Sequence, residues 1–102
     1  MTITNILYTS GSPYVSRIQI AEDFKISMSS VDNRIKELVG EIKSGRYNEL
    51  AVIKDGGFVF VNYLALIDYL SNRQRLRNKN LRKTVPPYEP KKVAQEIGWY
   101  KI

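Results

Sequence analysis

Residues 15–43, which read VSRIQIAEDFKISMSSVDNRIKELVGEIK, predict two helices joined by a tight turn. Ser16 is a favourable N-cap for the first helix, and the glutamine three residues later completes a capping box. The second helix, Met28–Lys43, is capped by Ser27 or Ser29 and ends at a serine-glycine pair. Its apolar residues recur at helical spacing and therefore form one narrow stripe: Val31, Ile35, Leu38 and Ile42.

The opposite side of the second helix is polar. Ser29, Asn33 and Lys36 lie opposite the apolar stripe, and Ser30 and Arg34 lie on its flanks. Small polar residues in the first turn, followed by asparagine and arginine, suit a helix that enters a DNA groove and meets base edges.

A β-hairpin is predicted after the helical pair. Runs of β-branched and aromatic residues, 50–54 and 58–61, flank Asp55-Gly56-Gly57. Aspartate followed by glycine between two such runs is a strong hairpin signal, because glycine supplies the positive φ of a tight turn.

A third helix follows the hairpin directly, with Asn62 as its N-cap. Its predicted buried face consists of Tyr63, Leu66, Ile67 and Leu70. Residues 73–83 then carry six cations and no acid, which predicts a basic extension of this helix. Two consecutive prolines interrupt the helix, and a last short helix is predicted at 91–97, with Pro90 before it and Gly98 after it.

The net charge of +6 is distributed unevenly along the chain. Residues 1–72 contain seven basic and eight acidic side chains, whereas residues 73–102 contain nine basic and two acidic ones. All of the excess positive charge therefore lies in the last third, which favours contact with a polyanion such as nucleic acid.

The order helix, turn, helix, hairpin, helix resembles the small winged helix-turn-helix DNA-binding proteins of the excisionase and MerR-like type. The resemblance covers roughly residues 13–70. Ala21 stands where that motif has a small residue, and Val31 and Ile35 stand where it has apolar anchors. Lys25 departs from the motif, which favours glycine in the turn. The predicted fold is thus a small α+β winged helix, with one domain over 1–84 and a proline-containing linker and short helix over 85–102.

The first hypothesis is a sequence-specific protein that binds double-stranded DNA. The second helix would lie in the major groove and make base-edge and nearby phosphate contacts through Ser29, Ser30, Asn33, Arg34 and Lys36. The hairpin, as a wing, would contact DNA through Lys54, Gly56 and Gly57. Phosphate contacts are predicted for basic residues at the end of the second helix and in the basic segment 73–83: Lys43, Arg46, Arg73, Arg75, Arg77, Lys79, Arg82 and Lys83.

The resemblance implies an architectural factor for DNA recombination in a phage or mobile element, acting beside a recombinase or another DNA-bound protein. A small transcription regulator is the alternative within the same class. From a different class, the chain could be a protein-interaction module, such as a phage-encoded inhibitor of a host factor, working through the hairpin and Trp99-Tyr100. Self-association through the C-terminal segment is a further alternative.

Composition excludes several kinds of chemistry. The chain has no cysteine and no histidine, which removes zinc fingers, thiol catalysis and histidine-based acid–base catalysis. No phosphate-binding glycine loop or paired-carboxylate site is visible, so we expect no enzymatic activity, cofactor or metal. The first residues lack the pattern of a signal peptide, and no apolar run could span a bilayer. We therefore expect a cytoplasmic protein without a membrane partner.

Overall fold

A computed structural model describes residues 13–98 of the chain. Within this range it contains four α-helices and one three-stranded antiparallel sheet, which confirms the predicted α+β class. Two short 3-10 turns, Glu49–Ala51 and Arg82–Thr84, complete the regular structure. In chain order the strands and helices are β1 (Tyr14–Ser16), α1 (Arg17–Phe24), α2 (Met28–Lys43), β2 (Val52–Asp55), β3 (Phe58–Asn62), α3 (Tyr63–Leu76) and α4 (Pro90–Glu96).

The described chain divides into two units, Tyr14–Tyr63 and residues 64–98 with Pro13. The boundary expected from the sequence, between residues 84 and 85, stays a prediction. The expectations for residues 1–12 and for Trp99-Tyr100 lie outside the described residues.

The sheet of the first unit has the order β1-β3-β2, with β3 paired to both neighbours. The predicted hairpin is confirmed, although its first strand begins at Val52 because the two preceding residues belong to a 3-10 turn. Strand β1 was not predicted. Val15 lies in β1 opposite Val61, and both are buried. A strand of three residues is too short to show an alternating pattern in the sequence. It forms because it pairs with β3, which is distant in the chain.

The core of the first unit confirms the predicted stripe of α2. Val31, Ile35 and Leu38 are buried, together with Ile20 of α1 and Val61 of β3. The fourth predicted residue of the stripe, near the end of α2, is half-buried. The stripe therefore turns one side of α2 towards the core and leaves the other side exposed.

Side-chain caps define where α1 and α2 begin. The Ser16 hydroxyl accepts a hydrogen bond from the backbone N–H of Gln19 at 3.2 Å, as predicted. Ser27, rather than Ser29, caps α2, because its hydroxyl accepts from the backbone N–H of Ser30 at 3.1 Å. Each cap satisfies an N–H group that has no partner within the helix.

The turn between α1 and α2 requires an unusual backbone conformation of Lys25. Its φ of 55° and ψ of 49° lie in the left-handed helical region, and its N–H donates to the carbonyl oxygen of Ala21. A side chain with a Cβ atom is strained in this region, whereas glycine is not. The sequence therefore departs from the helix-turn-helix pattern at a position where the backbone still has the glycine conformation.

The second unit is built on α3 and α4. The buried face of α3 is broader than predicted: Leu66 is buried as expected, but Leu64, Ala65 and Tyr69 are also buried, whereas the predicted Tyr63, Ile67 and Leu70 are half-buried. Helix α4 places Ala94 against Leu64 of α3, with Tyr88 and Val93 packed beside them. The basic extension of α3, predicted over residues 73–83, was wrong beyond Leu76, where the helix ends and residues 77–84 form turns. The side-chain oxygen of Asn78 accepts hydrogen bonds from the backbone N–H groups of Asn80 and Leu81, which favours a turn over a continued helix.

We predict that Lys25→Gly raises the free energy of unfolding by about 0.5–1 kcal/mol. Glycine relieves the strain of the left-handed conformation, but it loses more backbone entropy on folding than lysine does, and this loss offsets part of the gain. Chemical denaturation of the purified chain measures the change. Lys25→Ala is the control, since alanine keeps the Cβ atom and should give no such gain. Equal stabilisation by both variants would contradict the explanation.

Candidate nucleic-acid interface

The polar side of α2 is accessible. Ser29, Asn33 and Lys36 are exposed, and Ser30 and Arg34 are half-buried. The two serines belong to the cap of the helix, because the Ser27 hydroxyl oxygen lies 3.3 Å from the hydroxyl of Ser29 and 3.1 Å from that of Ser30. Asn33 and Lys36 lie one helical turn apart and face solvent, so they are free to meet a ligand along the length of α2.

A cleft of about 320 Å³ lies between α2 and the hairpin. Lys36 of α2 and Lys54 of β2, which were predicted from two separate segments, both line it. Ile35, Val39 and Val59 add apolar surface between these charged groups. The structure thus brings together one residue of the predicted recognition helix and one residue of the predicted wing. Gly56 and Gly57, the other hairpin residues predicted to contact DNA, are exposed at the turn of the hairpin.

The cleft also contains an ion pair that the sequence analysis missed. Arg17 at the start of α1 forms a bidentate ion pair with Asp32 of α2, with Nε 2.8 Å from Oδ1 and Nη2 2.9 Å from Oδ2. The hydrogen bond and the negative charge of Asp32 raise the pKa of the Arg17 guanidinium, which therefore stays positively charged. This contact joins the two helices and neutralises the acid beside Asn33. Asp32 gave no distinct sequence signal, because α2 also carries Glu37 and Glu41.

Two of the predicted phosphate-binding residues lie at the end of α2. Lys43 is exposed in the last turn, where a cation also suits the negative end of the helix dipole. Arg46 is half-buried and lies on the ring of Tyr47, with its guanidinium carbon 5.5 Å from the ring centre and Nε 3.2 Å from the phenolic oxygen. Arg46 therefore has a packing role in addition to any role in binding.

The basic residues of the second unit fall into two groups. Arg75 donates from Nη2 to the carbonyl oxygen of Thr84 at 2.6 Å and to its hydroxyl at 2.8 Å. Arg82 donates from Nη1 to the carbonyl oxygen of Leu76 at 2.7 Å, and Arg73 is half-buried. Arg75 and Arg82 thus hold the chain that follows α3. The other predicted phosphate contacts of this segment are exposed: Arg77, Lys79 and Lys83.

Other kinds of site find no support within residues 13–98. No group of three or more acidic side chains in this range could hold a metal ion. Of the helices described, none has the length and apolar character that a bilayer crossing requires.

No protein-family model, no curated protein and no solved structure matches this chain.

The arginine contacts predict different effects for two neighbouring substitutions. Arg75→Ala should lower the free energy of unfolding by about 0.5–1.5 kcal/mol, because it removes the hydrogen bonds to Thr84. Arg77→Ala removes an exposed cation of the same type and should change stability by less than about 0.5 kcal/mol. Thermal and denaturant unfolding measure both changes, and equal effects would show that Arg75 is not a structural residue.

Proposed function

We propose that this chain is a sequence-specific double-stranded DNA-binding protein of the winged-helix type. The observation that carries the proposal is the shared cleft of Lys36 and Lys54, next to the exposed polar side of α2. A helix that presents polar side chains beside a basic cleft offers base-reading groups and phosphate-binding groups on one surface.

In this proposal α2 enters the major groove with Asn33 towards the base edges. Asparagine makes bidentate hydrogen bonds to adenine, and arginine makes them to guanine. Asn33 and Arg34 are therefore the candidates for base recognition. Ser29 and Ser30 lie in the first turn of the helix, where their hydroxyl groups suit a phosphate. Lys36 contacts the backbone at the side of the groove.

The hairpin β2–β3 serves as the wing. Lys54 faces the same cleft as Lys36, so a sugar–phosphate strand between α2 and the hairpin would meet a cation from each side. The apolar surface of Val39 and Val59 suits the deoxyribose part of that strand. Arg17 supports binding indirectly, since an uncompensated Asp32 carboxylate would repel the phosphates.

The exposed cations Arg77, Lys79 and Lys83 supply further phosphate contacts and much of the salt dependence. The role in the cell that we infer is an architectural, excisionase-like factor acting with a recombinase, or a small transcription regulator. Both roles require DNA binding through α2 and the cleft of Lys36 and Lys54.

Asn33→Ala should weaken binding to the preferred duplex by about 1–3 kcal/mol and relax the preference at one base pair. Selection of duplexes from a random pool identifies the preferred site, and titration of that site and of random duplex measures the two affinities. Gln95→Ala, an exposed polar residue of α4, is the control and should change neither affinity. If the Asn33→Ala variant kept its base preference unchanged, the assignment of α2 as the helix that contacts base edges would be wrong.

Lys83→Ala should weaken binding to specific and random duplex alike, and should reduce the slope of log affinity against log salt by about one. The reason is that one phosphate contact, with its released counterion, is lost. Titrations at several salt concentrations measure the slope. A loss confined to the specific site would show that Lys83 contacts bases instead.

An exposed aromatic pair favours a second candidate function, a protein-interaction module. Phe58 and Phe60 of β3 are 69% and 39% exposed, and their rings stack with centres 6.2 Å apart. Aromatic side chains of this kind are enriched at protein interfaces. Absence of a mobility shift with random duplex at low salt, together with no retention on heparin, would favour this second function over DNA binding.

A further inference from the structure

A cleft of about 310 Å³ lies within the second unit, between α3 and the segment that includes α4. Much of its wall is apolar and consists of Ile67, Pro86, Pro87, Val93 and Ile97. This volume is at the lower end of the range for binding pockets, and it exceeds the volume of a single leucine side chain. The cleft can therefore accept one apolar side chain.

The charged groups that line this cleft carry a net negative charge, opposite in sign to the net charge of the chain. Asp68, Glu89 and Glu96 line it together with one cation, Lys92, although the chain carries a net charge of +6. Asp68 is only 7% exposed, and its carboxylate lies 3.4 Å from the side-chain nitrogen of Asn72. An apolar wall with an excess of carboxylates is complementary to an apolar side chain that has cations beside it.

A segment with that chemistry is present on the same chain. Residues 77–84, which we name the basic turn, contain four cations and no acid. Leu81 lies in this turn and is 45% exposed. Leu81 adds one exposed apolar side chain to this positively charged segment, which is the combination that the cleft complements.

The basic turn has a defined shape. The side-chain oxygen of Asn78 accepts hydrogen bonds from the backbone N–H groups of Asn80 and Leu81, at 2.9 and 3.1 Å. The Thr84 hydroxyl donates to the carbonyl oxygen of Leu81 at 2.6 Å, and Arg75 holds Thr84 from α3. A turn already fixed in this way loses little conformational entropy when it binds.

We propose that the cleft of one molecule accepts the basic turn of a second copy of this chain. No residue of the basic turn is among those that line the cleft, so the two surfaces are separate on each molecule and can meet between molecules. Leu81 enters between the apolar walls, and the cations beside it face Glu89 and Glu96. The contact is small, which makes the association weak and readily reversible. This inference does not depend on the DNA-binding proposal.

Sedimentation equilibrium of the full chain tests the inference at low ionic strength and at concentrations up to about 1 mM. The average mass should rise above 11.8 kDa with concentration and fall again when salt is added, because salt screens the charges. Leu81→Ser and Glu96→Lys should each weaken the association at least about tenfold, because one removes the apolar side chain and the other reverses a cleft charge.

Matched controls separate this contact from general effects of charge and apolarity. Leu50→Ser changes another exposed leucine, and Glu22→Lys makes the same charge change on α1. Both controls should associate like the unmodified chain. An equal mixture of the Leu81→Ser and Glu96→Lys variants should associate more strongly than either variant alone, since the mixture retains one intact cleft and one intact basic turn. Circular dichroism establishes that every variant is folded.

Three results would overturn the inference. They are a mass of 11.8 kDa at every concentration of the unmodified chain, association that survives both Leu81→Ser and Glu96→Lys, and a mixture of these two folded variants that stays monomeric.

Discussion

Burial of one narrow apolar stripe determines how α2 is oriented. Val31, Ile35 and Leu38 occupy the core of the first unit, and this fixes the rotation of the helix about its axis. Because the helical period places Asn33 and Lys36 away from the stripe, their exposure follows directly from the packing. The candidate base-reading surface is therefore a consequence of the core, and a core substitution that rotated α2 would change both.

The sheet supplies the second half of the candidate interface. Strand β3 pairs with β1 on one side and with β2 on the other, which places the hairpin beside α2 and forms the cleft between them. Within that cleft Arg17 compensates the carboxylate of Asp32, so the remaining charge on this surface is positive. Packing of the sheet and pairing of one acid thus combine to give a basic cleft beside a polar helix.

Positive charge in the last third of the chain has more than one physical role. Arg75 and Arg82 donate hydrogen bonds to backbone oxygens and stabilise the chain after α3, whereas Lys79 and Lys83 are exposed. A count of basic residues predicts attraction to a polyanion, but it does not distinguish cations that bind from cations that hold a turn.

Local spacing, caps and turn residues were enough to predict the α+β class, the four described helices, the hairpin and the polar side of α2. The pairing of β1 with β3, the ion pair of Arg17 with Asp32 and the hydrogen bonds of Arg75 with Thr84 became visible only in the folded chain. The tertiary structure also decided that Lys36 and Lys54 share one cleft. The strand pairing, the ion pair and the cleft join residues far apart in the chain, and the Arg75 contact needs the chain after α3 to turn back. Periodicity describes one segment at a time, so the way distant segments meet is set by packing.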